Sequence, residues 1–339
     1  LPIRLPGAVP DFRALQAANL RRSWLAVSLL WALLGAAGAG IGVGVVLWEG
    51  VRPPWHGGVL GAAVGMMLAL LATVVAFMRG ETATLAMLRA EDPPEEAARR
   101  IHNVLDELTL AAGVRRPTLH WIDDAYPNAC AIGIHGHPGH ICVTRGLTEM
   151  LERDELAGVV AHELAHLKHE DATFATVTAT LYGSFYFLRE LSADLIEVSI
   201  LRNVRSHEPR TSVGRHGKHM PLGVFIGIFG WIVFALMSVV AYLVVLSASR
   251  SREWMADMAA VEITRDPAAL ADALEKIAGS GRRSLVASRA VQHLYFVNPF
   301  PAGASLFALL STHPPIEERV RLLRQMSGPS AKPAGSRPA

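Results

Sequence analysis

The chain has 339 residues, 51% of them hydrophobic and only 18% charged, with a mean hydropathy of +0.30. That is oily for a soluble enzyme and implies membrane segments, while the length leaves room for a folded domain beside them. A formal net charge of +2 without a dense Lys/Arg run gives no electrostatic case for a nucleic-acid partner. Two cysteines, Cys130 and Cys142, with no CxxC pattern, exclude a disulfide framework; they read as packed thiols in a reducing compartment.

Residues 1–23 mix Pro, Gly and Arg and read as a basic leader. Trp24 to Trp48 is free of charge over roughly 25 residues, long enough for a ~30 Å hydrocarbon core and too long for a signal h-region. Trp24 and Trp48 sit at its ends, as interfacial anchors do. A second apolar run, Gly57 to Met78, follows the break at Pro53-Pro54, so residues 24–78 predict a transmembrane helical hairpin. Residues 79–171 change to the composition of a soluble domain. The apolar spacing of Ile101, Leu105 and Leu108 predicts a helix over Glu95–Ala112 that stops at Gly113. Thr118–Ile122 predicts a strand, and Ala129–Ile134 with Ile141–Thr144 a hairpin. Asp154 predicts the cap of a helix through Leu156, Val160 and Leu164. In 172–247, a short apolar run (172–188) and a long one (221–246) flank a basic segment, 189–220. Helices are expected over 252–262, 267–278 and 316–326 within a second soluble part, 248–326. Residues 327–339 are Pro/Gly/Ser-rich and read as a disordered tail. The expected class is mainly α with a small β-sheet, in a polytopic membrane protein.

The chemistry is carried first by His162-Glu163-Leu164-Ala165-His166, an HExxH string. On a helix, residues i and i+4 share a face, so both imidazoles reach one ion, and the intervening Glu serves as general base. Zinc takes such nitrogen donors and needs a third protein ligand in a hydrolase site. Glu253 is the best candidate. It opens a helix on which Asp257, one turn later, can hold a ligand imidazole by its second nitrogen. From spacing alone, a solvated charge beside Arg252 stays open as a reading of Glu253. His135, His137 and His140 cluster in the hairpin turn. With no carboxylate interleaved they read as a polar turn rather than a second metal site.

In four ordered elements the chain resembles the M48 peptidases, among them HtpX-like heat-shock proteases and, more distantly, CaaX prenyl proteases. The elements are Asn128-Ala129-Cys130-Ala131, HELAH at 162–166, Glu253 to Asp257 after a long apolar run, and Thr312-His313-Pro314-Pro315 with Arg319. The resemblance implies a zincin-like metalloprotease domain with one Zn²⁺ held by His162, His166 and Glu253. It implies an edge strand, Asn128–Ala131, on which an extended polypeptide pairs. It also implies that His313 and Arg319 face the negative charge developing on the scissile carbonyl. Cys130 replaces the Phe that HtpX-like sequences often carry there. The partners implied are misfolded membrane proteins and the lipid bilayer, with prenyl-peptide processing as an alternative in the same chemistry. Outside that chemistry, a non-cleaving metal-binding scaffold is the alternative, against which stands the retained base Glu163.

A shared ion constrains topology. The number of crossings between residues 166 and 253 must be even, so 172–188 crosses together with 221–246 or neither does. Arg4, Arg13, Arg21 and Arg22 argue for a cytoplasmic N-terminus and hence a cytoplasmic protease domain after the first hairpin. Four spans at the inner membrane are the expectation, with the HExxH helix running on into 172–188.

Overall fold

The computed structural model describes residues 12–50, 53–205, 222–246, 250–282, 284, 291–297 and 314–327. In chain order these form α1 (Phe12–Trp48), α2 (Trp55–Leu88), α3 (Glu95–Ala112), β1 (Thr118–Ile122), β2 (Ala129–Ile132), β3 (His140–Thr144) and α4 (Arg145–Met150). There follow α5 (Arg153–Lys168), α6 (Asp171–Arg205), α7 (Leu222–Leu246), α8 (Arg250–Thr264), α9 (Pro267–Gly279) and α10 (Ile316–Met326). The class is mainly α with one small sheet. The chain divides into two compact units, one built on Arg22–Ala76 and Leu181–Val244, the other on Phe77–Thr180 and Val245–Ala339 with Leu1–Arg21.

In the first unit lie most of three stretches long and apolar enough to cross a membrane, Val27–Trp48, Trp55–Leu88 and Gly223–Val240. At 1.5 Å per residue α2 is roughly 51 Å long, more than a ~30 Å core requires, so its last turns, from Arg79, have no need to be apolar. Glycines set the helix spacing. A Cβ on Gly38 would lie 2.1 Å from the Gly61 carbonyl oxygen, one on Gly57 2.3 Å from that of Gly42 and one on Gly65 2.2 Å from that of Leu34. The α1 and α2 backbones therefore touch, the small-residue packing that membranes favour. Against α7, the small positions repeat: a Cβ on Gly227 would meet Ile196 Cγ1 at 2.5 Å.

Two expectations change here. Residues 12–23, read as leader, are the first turns of α1; they contain neither Gly nor Pro and are rich in Ala, Leu and Arg. The short apolar run at 172–188 is part of a continuous 35-residue helix, α6, that carries Arg189, Glu190, Asp194, Glu197 and Arg202. Nothing after Gly183 breaks it before its end. Residues 206–221, the rest of the basic segment, and the tail beyond Ser327 lie outside the described residues.

In the second unit, α3 buries Ile101, Val104, Leu105, Leu108 and Ala112 on one face and ends at Gly113, whose φ of 66° closes the helix. The sheet order is β1-β3-β2; β1 pairs β3 in parallel and β2 pairs β3 antiparallel, with Cys130 opposite Cys142. β2 ends at Ile132, two residues early. The next amides leave the ladder, Gly133 donating to Thr176 Oγ1 (3.1 Å) and Ile134 to Glu81 Oε1 (3.0 Å). α5 is the central element, with Leu156, Val159, Val160, Ala161 and Leu164 buried in a core shared with α3, α8 and α9. Its cap is Glu152, not Asp154: Glu152 accepts from the first turn while Glu155 takes the Glu152 N–H at 2.8 Å. Nor does α5 run on into α6. Glu170, at φ 63°, breaks the helix, and Asp171 starts the next.

Candidate metal centre

His162 and His166 face one another on α5 with their Nε2 atoms 3.2 Å apart. Helix α8 packs along α5 and brings Glu253 to them, Oε2 at 3.8 Å from His162 Nε2 and Oε1 at 3.9 Å from His166 Nε2. One donor atom from each of the three lies within 4.8 Å of the others. Donor atoms around a tetrahedral zinc with bonds of 2.0–2.1 Å stand roughly 3.3 Å apart. The donor set and its spacing thus fit one zinc ion.

The wiring behind His162 is fully internal. Its Nδ1–H donates to Asp257 Oδ1 at 2.8 Å, which fixes the tautomer that turns the Nε2 lone pair toward Glu253 and His166. Asp257 is clamped in turn by Arg319 of α10, Nη2 to Oδ1 at 2.6 Å and Nε to Oδ2 at 2.8 Å. Arg319 is 1% exposed, donates through Nη1 to the Phe296 carbonyl and lies 4.6 Å over the Phe296 ring. That is where the structure places Arg319, the residue expected to face the scissile carbonyl. Its hydrogen bonds run to Asp257 and the Phe296 carbonyl, on the Nδ1 side of His162. The reason is electrostatic: a buried guanidinium must meet a carboxylate, and Asp257 is that carboxylate.

Burial and charge tune the groups apart. Burial pushes His162 down to about 4, although Asp257 pulls the other way. Burial would also lower His166, but Asp171, Glu253 and Glu163 outweigh it and the ring is held above its ordinary value. Asp257, which burial alone would raise, is held low by Arg319 and His162. Glu163 is raised to about 7 by burial; His166 opposes and Glu253 adds to it. Glu163 is 1% exposed, and apart from the Ala131 backbone amide turned toward it, neither carboxylate oxygen has a hydrogen-bond partner among the described residues. Leaving such a group without a side-chain partner is expensive, which marks it as a group kept for something other than stability.

Ala129 to Ala131 lie on β2, the outer strand of the sheet, with Asn128 just before it, and the strand's outer edge is already paired. Phe296 N–H donates to the Ala129 carbonyl (2.8 Å), and Tyr295 bridges Cys130. Asn128 holds Val297 from both sides, Nδ2 to its carbonyl at 2.6 Å and Oδ1 from its N–H at 3.1 Å. Buried backbone groups need partners, and residues 295–297 supply them. Ala131 is the strand residue whose amide turns toward Glu163. Cys130 and Cys142 are free and buried. His313 lies outside the described residues.

Sequence reasoning missed two contributors. Asp171 stands 3.8 Å from His166 Nδ1, a placement that exists because α5 breaks at Glu170 and the chain turns back. Phe296 packs edge-on against His162, ring centroids 4.8 Å apart. No local signal announces it, since it arrives from more than a hundred residues downstream.

Residues 95–327 match the model of peptidase family M48. A protein named protease HtpX homolog from Caldanaerobacter subterraneus subsp. tengcongensis is 32% identical over 313 residues, 92% of this chain and 97% of the relative. Proteins of that name from Syntrophobacter fumaroxidans (37%, covering 80% of this chain and 93% of the relative) and Acidiphilium cryptum (35%, 91% and 97%) are similar too. No solved structure matches the chain. With that match, the metal-ligand geometry and three helices fit to cross a bilayer, the chain belongs to peptidase family M48 and is a membrane metalloprotease.

Proposed function

We propose that the protein is a zinc-dependent endopeptidase of the inner membrane whose substrates are misfolded membrane proteins. The observation that carries the reading is the convergence of His162, His166 and Glu253, with the buried Glu163 next to His162 on the same helix and no side-chain partner for it among the described residues. The two histidines and Glu253 hold the ion. When bound, zinc supplies Lewis-acid polarisation of the scissile carbonyl and of the attacking water. Glu163 takes the water's proton on its carboxylate and returns it to the leaving amine; a pKa of about 7 suits both transfers near neutrality. Asp257 keeps His162 in the ligating tautomer, and Arg319 keeps Asp257 in place. His313 is the donor proposed for the developing oxyanion.

An extended substrate is taken to run beside β2, with Ala131 as the strand residue next to Glu163. Asn128 and Ala129 support that path by holding residues 295–297, and Cys130 by filling the layer beneath.

The name of the relatives supports a proteolytic role, and the site's parity requirement supports four crossings. Since α7 is apolar enough to span and Glu253 meets His162 and His166, α6 crosses as well, with the protease unit on the cytoplasmic side. The decisive experiment is Glu163→Gln. The variant is expected to keep the zinc held by His162, His166 and Glu253 while losing cleavage of casein; cleavage at the wild-type rate would overturn Glu163 as the base.

A further inference from the structure

Glu81 lies on α2, three residues beyond the apolar run that ends at Met78, with its side chain only 16% exposed. One carboxylate oxygen, Oε1, accepts the Ile134 N–H at the root of the β2–β3 hairpin. The other, Oε2, faces two imidazoles, His137 Nδ1 at 2.9 Å and His140 Nε2 at 3.9 Å. The second nitrogen of His140, Nδ1, is 3.0 Å from His120 Nε2 on β1. In sequence these histidines lack a carboxylate neighbour; in space one arrives from 56 residues upstream.

A simple latch accounts for only half of this. His137 and Glu81 form an ordinary ion pair or hydrogen bond, but 3.9 Å between His140 Nε2 and Oε2 is too long for one. As they stand these donors are not gathered as those of His162, His166 and Glu253 are, so an ion would have to draw both rings to the roughly 3.3 Å spacing of donor atoms around a tetrahedral ion. Two imidazoles and a carboxylate suit zinc and its first-row neighbours. The wiring also repeats that of His162: one ring nitrogen faces the carboxylate while the other is held by an outer partner, here His120. His137 is 59% exposed, on a turn between Gly136 and Gly139 at φ 89° and 78°, so its ring can swing to complete the set.

We propose that Glu81, His137 and His140 form a second divalent-cation site of the zinc class, with His120 orienting His140. Its ion ties the β2–β3 hairpin to α2. Because β2 carries Ala131 beside Glu163, occupancy stiffens the strand next to the catalytic base.

The test is metal stoichiometry on the full-length protein in detergent, dialysed against micromolar free zinc and measured by elemental mass spectrometry. Wild type is expected to hold two zinc ions per chain. Glu253→Ala should hold one, at the hairpin, and the double variant Glu81→Gln/His137→Ala should hold one, at His162 and His166. His137→Ala alone, a change at an exposed position, should weaken the second ion about tenfold or more and leave the first unmoved. Wild type saturating at one ion, or the double variant keeping two, would overturn the proposal. A Glu253→Ala protein that binds none while wild type binds one would overturn it too and leave the catalytic site standing.

Discussion

The two units of this protein fix their geometry by opposite means. In the membrane unit α1 meets α2 through absent side chains: Gly38, Gly42, Gly57 and Gly61 let backbones touch at distances no Cβ would tolerate. In the peptidase unit the critical contacts are made by charged side chains taken out of water, with Arg319, Asp257 and His162 each no more than 2% exposed. Lipid offers no hydrophobic drive between helices, so close packing must hold them. A watery surroundings makes burial itself the drive, and a buried ionic chain then costs stability unless every member is matched. What each unit tolerates under substitution should differ accordingly.

The largest effect is expected at Glu163, whose buried carboxylate lacks a side-chain partner among the described residues. Glu163→Gln should lower turnover by ~10²–10⁴-fold, the usual worth of a general base, while zinc content stays unchanged. Next comes the ionic chain. Arg319→Ala leaves Asp257 buried against an empty space and should cost about 3–5 kcal/mol, read as a lowered unfolding temperature in detergent. Asp257→Asn keeps the shape but loosens the hold on His162, and should weaken zinc by ~10–100-fold in competition with a chelator. If Arg319 instead faced substrate, Arg319→Lys would change KM with no change in zinc affinity. Acting through Asp257, it should weaken zinc. In the membrane unit Gly61→Val should cost ~1–3 kcal/mol by overpacking against Gly38 and lower thermal stability in detergent, with zinc affinity unaltered.

The same contrast explains what the sequence disclosed. Its local signals were strong: HELAH on a helix, Gly113 ending α3 and the uncharged runs all depend on neighbours within a turn or two. Glu253 needed the family resemblance, because spacing alone leaves it a solvated charge. Arg319 was singled out, but its contacts were not legible. Its partner Asp257 lies 62 residues away, and only the packing of α10 shows which way the guanidinium turns. Residues 295–297 and Asp171 were invisible for a related reason, since one fills a strand edge from afar and the other depends on a helix break. The glycines of α1 and α2 were in plain view, but which of them face each other is a matter of helix rotation.

The smallest expected effect concerns acid, and it separates two buried groups that otherwise mask each other. Metal-free His162 has its pKa pushed down to about 4, below the 6.5 of an unfolded chain. Between those values the unfolded state binds the proton and the folded state does not, so His162 contributes stability above 6.5 that is lost as pH falls toward 4. Glu163 has the reverse sign. Its pKa rises from 4.5 to about 7, so across that window the folded state binds the extra proton, and acidification favours folding. The two slopes nearly cancel over their shared range. Removing one should expose the other: metal-free Glu163→Gln should lose stability more steeply than metal-free wild type as pH falls from about 6.5 to about 4. Thermal unfolding of both proteins after chelation, at stepped pH, makes the comparison. Parallel curves would mean that burial does not raise the proton affinity of Glu163.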